Sequence, residues 1–222
     1  VPALTGVLIF LPGAAAGVVQ KERARRAVRA RFAHFLPPDL IAQVADDPDH
    51  ALTPEGAERV LTVMFIDIRG FSTITEPMTP TEVVTLVNRF LAEITRTLLA
   101  HGATIDKFMG DGVMAFWNAP IEAPGHEARA VAATFAVSEA LARVNAGLAD
   151  LGLPEVSVGV GVNTGPCFVG LMGSSDRLSY TCIGDSVNLA ARLEGLARVY
   201  GVPACFGGGA LAGLPAALLA VE

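Results

Sequence analysis

Residues 60–68 read Val-Leu-Thr-Val-Met-Phe-Ile-Asp-Ile, a run of β-branched and apolar side chains broken by one late carboxylate, Asp67. A strand with so little alternation is the mark of a strand buried on both faces, which puts it inside a sheet. The chain has 222 residues, 52% of them hydrophobic, enough for one domain with a full core and additions at its ends.

The rest of the chain reads around that strand. Thr79-Pro80-Thr81-Glu82 opens a helix, with Pro80 tolerated in the first turn, and Val83, Val87, Phe90, Ile94 and Leu98 give it one apolar face. His101-Gly102 ends it. Two short strands, about 103–108 and 112–117, flank Met109-Gly110-Asp111 as a hairpin. An alanine-rich helix is expected over about 126–148, strands at 156–162, 167–172 and 178–183, and a helix at about 186–200 capped by Asp185. The order β-α-β-β-α-β, with additions, is that of an α+β fold, a ferredoxin-like or palm-type sandwich.

The N-terminal quarter differs in kind. Residues 1–19 carry no charge, and six of the chain's 16 basic residues then fall between Lys21 and Arg31 beside one acid of 22. Charges that follow the apolar run do not fit a signal peptide. The expectation is the end of a transmembrane helix at 1–19, then a basic juxtamembrane helix and linker at 20–58, and a catalytic domain at 59–222. On that reading the protein sits at the cell membrane, held by its N-terminal helix, with the catalytic domain cytoplasmic. Pro12 and Gly13 interrupt the run, and a buried helix or an unstructured end is the alternative. A basic block before an acidic body argues against nucleic acid as a partner. Cys167, Cys182 and Cys205 form no CxxC pair, which excludes a disulfide framework or zinc site and implies a reducing compartment.

Two aspartates stand where desolvation makes them costly: Asp67 within the apolar strand and Asp111 at the tip of the hairpin. In a sandwich of this order the two positions lie side by side, and paired carboxylates suit hard cations acting on phosphate. Taken alone, either aspartate reads as a solvated turn residue; the pair within FIDIRGF and KFMGDG carries the argument. Gly70 would let the backbone approach phosphates, and Phe71 beside it is counted with it as substrate-binding. Asn188 and Arg192, four apart on the last helix, share a face. An amide there suits a ribose and a guanidinium suits charge building on phosphorus. The competing reading leaves Asn188 solvated and pairs Arg192 with Glu194 or Asp185.

MFIDIRGFSTITE (64–76), IDKFMGDGVMAFW (105–117) and YTCIGDSVNLAARLE (180–194) resemble the three signature blocks of class III nucleotidyl cyclase catalytic domains, over about residues 59–206. FLPPDL (35–40) and the basic segment resemble the transducer region ahead of such domains. The resemblance implies a palm-like sandwich working as a head-to-tail homodimer with two active sites at the interface. Asp67, Asp111 and the Ile68 carbonyl would hold two Mg²⁺ or Mn²⁺ ions. Lys107 and Thr181 would read the adenine of ATP, Asn188 would orient the ribose, and Arg192 would stabilise the transition state. In the family, Lys107 and Asp111 belong to opposite active sites.

The activity implied is adenylate cyclase, ATP to 3′,5′-cyclic AMP and pyrophosphate. Thr181 stands where many adenylate cyclases have Asp, and a threonine hydroxyl can still accept from the adenine amino group. Guanylate cyclases carry Glu and Cys at the two base positions, unlike Lys107 and Thr181. Guanylate cyclase and a silent dimerisation or nucleotide-sensing module are the alternatives; a diguanylate cyclase would need GG[DE]EF where this hairpin reads MGDGV. The family's further lysine near the domain end has no counterpart after Lys107, which reads as truncation.

Overall fold

The computed structural model of the chain describes residues 56–174 and 178–212. Among them run β1 (Ala57–Ile68), α1 (Phe71–Thr75), α2 (Pro80–Ala100), β2 (Thr104–Met109), β3 (Gly112–Trp117), α3 (His126–Ala149), β4 (Val158–Gly173), β5 (Leu178–Ile183), α4 (Asp185–Tyr200), β6 (Ala204–Phe206) and α5 (Gly208–Leu211). The five main strands lie in the order β2-β3-β1-β4-β5, each antiparallel to its neighbour, and β6 adds to β4 in parallel.

β1 is central and covered on both faces. Met64, Ile66 and Ile68 point into one core with Leu86, Phe90, Ile94 and Leu98 of α2 and Ala130, Ala133, Val137 and Ala140 of α3. The alternate residues Leu61, Val63 and Phe65 join a second core with Phe116, Cys167, Cys182 and the α4 residues Val187 and Ala190. Two apolar faces explain why the strand lacks alternation.

Local signals act where expected. Thr79 caps α2 in a full capping box with Glu82, and Pro80 enters in its first turn. At the other end of α2 the Trp117 indole donates to the His101 carbonyl at 2.9 Å. The strands expected at 156–162 and 167–172 are one 16-residue strand, β4. Pro166 survives inside it because β4 changes outer partners there: β6 ends opposite Val162 and β5 begins opposite Phe168. The missing N–H therefore falls in the gap between two neighbours. α1, β6 and α5 were not anticipated; each has five residues or fewer, too short for a periodic signal.

The expected helices over residues 1–58 lie, up to residue 55, outside the described residues. The expected membrane location is corrected: among the described residues no helix is long and apolar enough to cross a membrane, and that location is withdrawn.

α4 lies directly on β4, and glycine makes this possible. A side-chain carbon at Gly161 would overlap the backbone of Ala190 and Glu194. Gly161→Ala is therefore expected to push α4 off the sheet and to lower stability by about 1–3 kcal/mol, read as a lower urea midpoint. An unchanged midpoint would show that α4 does not depend on this close approach.

Candidate active site

The register of β1 on β3 sets the first part of the site. Ile66 pairs with Val113, so the turn before β3 comes level with Asp67. Gly112 leaves the space that Asp67 occupies: a side-chain carbon there would lie 2.9 Å from Asp67 Oδ1. Asp111 stands beside it, and its Oδ2 is buried without a hydrogen-bond partner. Burial, then the negative charges of Asp111 and Glu194, push the Asp67 carboxyl up to about 6; protonation would also let it hydrogen-bond to Asp111. The Arg198 guanidinium works the other way.

An orphaned carboxylate oxygen beside a second strained carboxyl is the environment a hard cation would relieve. Among the described residues no group of three or more His, Cys, Asp or Glu side chains forms a metal cluster. Two carboxylates therefore suit a cation such as magnesium, which takes few protein ligands and completes its shell with water and substrate phosphates. The Ile68 side chain is buried in the helix-covered core, leaving only its backbone carbonyl for such a role.

The second part joins strands from opposite edges of the sheet. Lys107 on β2 donates from Nζ to Thr181 Oγ1 on β5 at 3.2 Å. Between them sits Asp106, which the sequence reading passed over. Its carboxylate accepts from Thr181 Oγ1 at 2.6 Å and lies 3.2 Å from Lys107 Nζ, an ion pair without hydrogen-bond alignment. The Asp106 side chain is fully buried while the Lys107 side chain is 47% exposed. Burial raises the Asp106 carboxyl above its ordinary range, opposed by the Thr181 hydroxyl, the Lys107 ammonium and the Cys182 backbone N–H.

Asn188 and Arg192 form the third part. Both are exposed on α4, and neither side chain makes a hydrogen bond or ion pair with a described residue. Glu194 does not pair with Arg192. It turns inward over Gly159, the register partner of Asp67, where a side-chain carbon would lie 2.6 Å from its Oε1. Burial raises its carboxyl, and the charges of Arg198 and Arg69 oppose that. The residues that α4 turns to the sheet are Val187, Ala190 and Ala197, so its polar pair faces away from the carboxylates beneath.

Gly70 is exposed with φ +63°, and nothing lies within 4 Å of a side chain added there. Phe71 packs its ring against the helix-covered core, which leaves its backbone as the part able to meet a substrate.

Comparison with known proteins places this geometry. Residues 54–202 match the family described as the adenylate and guanylate cyclase catalytic domain. The chain is 36% identical over 190 residues to adenylate cyclase 1 of Rhizobium meliloti (strain 1021), covering 86% of this chain and 28% of that protein. The chain thus spans less than a third of that relative's length. Among solved structures, the guanylyl cyclase Cya2 superposes with a TM-score of 0.66 at 33% identity, covering 71% of this chain and 79% of that one. The adenylyl cyclase CyaB from P. aeruginosa gives 0.61 at 36% identity, covering 63% and 73%. With its sheet order, its carboxylate pair and its three motif blocks in place, the chain belongs to the adenylate and guanylate cyclase catalytic domain family.

Proposed function

We propose that this domain is an adenylate cyclase, converting ATP to 3′,5′-cyclic AMP and pyrophosphate. The observation that carries the reading is the Asp67–Asp111 pair, two acidic groups crowded together with one oxygen left unpartnered. Two divalent cations, Mg²⁺ or Mn²⁺, would supply positive charge for the phosphates and acidify the ribose hydroxyl. Asp67 and Asp111, with the Ile68 carbonyl, hold that charge in place. The backbone at Gly70 and Phe71 faces the phosphates.

Lys107 donates to a ring nitrogen of adenine, and Thr181 accepts from its amino group. The metal-holding carboxylates of one copy of the chain face Lys107, Thr181, Asn188 and Arg192 of a second copy; the side chains of Asn188 and Arg192, exposed and without partners in their own subunit, are available to such a shared site. Asn188 orients the ribose so that its 3′-oxygen bonds to the α-phosphorus as the bond to pyrophosphate breaks. Arg192 stabilises the negative charge spread over the phosphorus oxygens at that moment. The catalytic domain takes in residues 59–222, and the basic segment 20–58 passes on an upstream signal. A lysine–threonine base pair favours ATP over GTP, and parallel assays with the two nucleotides decide the point.

Two outcomes test the reading. Without metal, the folded state holds Asp67 ionised only against burial and neighbouring negative charge, a cost absent on unfolding. The stability lost to that ionisation appears as pH rises from the ordinary carboxylate range through about 6. Asp67→Asn should therefore raise the urea midpoint of the metal-free protein at about pH 8, with the gain fading by about pH 4. Magnesium should narrow the gap by stabilising the wild type alone. Equal midpoints at both pH values would contradict the crowded pair.

For the shared sites, Asp111→Ala and Arg192→Ala chains should each be inactive alone. Mixed in equal amounts they should regain about a quarter of wild-type turnover, one working site in each mixed dimer. No recovery after verified mixing would rule out sites shared between subunits.

A further inference from the structure

Sheet order separates β2 from β5 by three strands, yet Asp106 and Thr181 touch. The contact depends on a break in regular pairing: the β2–β3 register shifts between Ile105 and Lys107, leaving Asp106 as the displaced residue. A bulge re-aims a side chain, and here an acid in an edge strand is turned fully inward. Three donors meet it: the Thr181 hydroxyl, the Cys182 backbone N–H and the Lys107 ammonium. Two hydrogen-bond donors and an ammonium gathered on one buried carboxylate are more than strand pairing requires.

A threonine hydroxyl has a single proton and two lone pairs. With its proton committed to Asp106 Oδ2 at 2.6 Å, Thr181 has only lone pairs left, one of them facing Lys107 Nζ at 3.2 Å. We propose that Asp106 is a positioning residue for base selection, fixing the Thr181 hydroxyl so that it meets the substrate's base as an acceptor only. This rests on the reading of Lys107 and Thr181 as the base-recognising pair. The edge so formed offers one donor and one acceptor, matching a 6-aminopurine with its ring-nitrogen acceptor and amino donor. A 6-oxopurine presents the reverse pattern and meets like with like, which polar sites reject strongly.

Asn in place of Asp106 keeps the shape but adds an N–H₂ that can donate to Thr181, releasing the hydroxyl proton outward. The experiment measures kcat/KM for ATP and GTP, and the affinities of their non-hydrolysable methylene analogues, on wild type, Asp106→Asn, Thr181→Val and the double variant. The expected result is a fall of at least about tenfold in the ATP-to-GTP ratio for Asp106→Asn, in turnover and in analogue binding, and no further fall when Asp106→Asn is added to Thr181→Val. A merely structural brace would lower both nucleotides by one factor and leave the ratio intact, which overturns the proposal. Additive effects in the double variant would overturn it as well. Ratios are taken within one sample, so partial unfolding cancels. If Asp106→Asn does not fold, Asp106→Ser, which can also donate to Thr181, carries the same expectation. A wild type that turns over neither nucleotide refutes the cyclase reading instead, and the analogue affinities then still decide the role of Asp106.

Discussion

Crowding of two acids at one end of an apolar strand is the constraint around which this domain is arranged. Asp67 and Asp111 come from separate segments, and only the β1–β3 register, with the side-chain-free space at Gly112, brings them together. Burial first, and the nearby charge of Asp111 second, disfavour the ionised form of Asp67, whose carboxyl is held up near 6. Such an arrangement destabilises the empty fold and is relieved when positive charge arrives. Burial of the neighbouring strands makes the site rigid: Ile66, Ile68, Val113 and Ala115 are all 3% exposed or less. The same low-dielectric surroundings that make the carboxylates costly would also strengthen the proposed hold on a cation.

The three polar constellations do not converge within one subunit. The carboxylates lie at the end of β1, the Lys107–Asp106–Thr181 cluster joins the two edges of the sheet, and Asn188 with Arg192 sits on the outward side of α4. α4 is held by close backbone contact on β4, which sets the side of the helix from which Asn188 and Arg192 project. On the proposed reading, a catalytic unit assembled from two such subunits would use all three. A single one leaves Asn188 and Arg192 facing solvent.

Much of the fold was legible because its signals were strong and local. The non-alternating run at 60–68 demanded two covered faces, and β1 divides its side chains between two cores. The capping box at Thr79 was written in four residues. The carboxylates of Asp67 and Asp111 stood out because each interrupts apolar sequence. Asp106 did not stand out, since its burial arises from a register shift and from the approach of two sheet edges, both properties of the folded whole. The inward place of Glu194 was hidden for a similar reason: its spacing allowed the competing surface pair with Arg192, but the absence of a side chain at Gly159 gives it room near Asp67. The division of residues 156–172 into two strands failed because Pro166 and the glycines signal a break, whereas β4 keeps β1 on one side from Val158 to Val169, across Pro166, and changes only its outer partner. The membrane expectation rested on the uncharged run at residues 1–19 and the basic residues after it, and on no feature of the described fold.

The most direct test of the central claim is diffraction from crystals soaked with Mn²⁺ and a non-hydrolysable ATP analogue, recorded at the manganese absorption edge. The account predicts anomalous density in contact with the carboxylates of both Asp67 and Asp111. Manganese bound elsewhere, or touching one of the two acids while the other turns away, would contradict it.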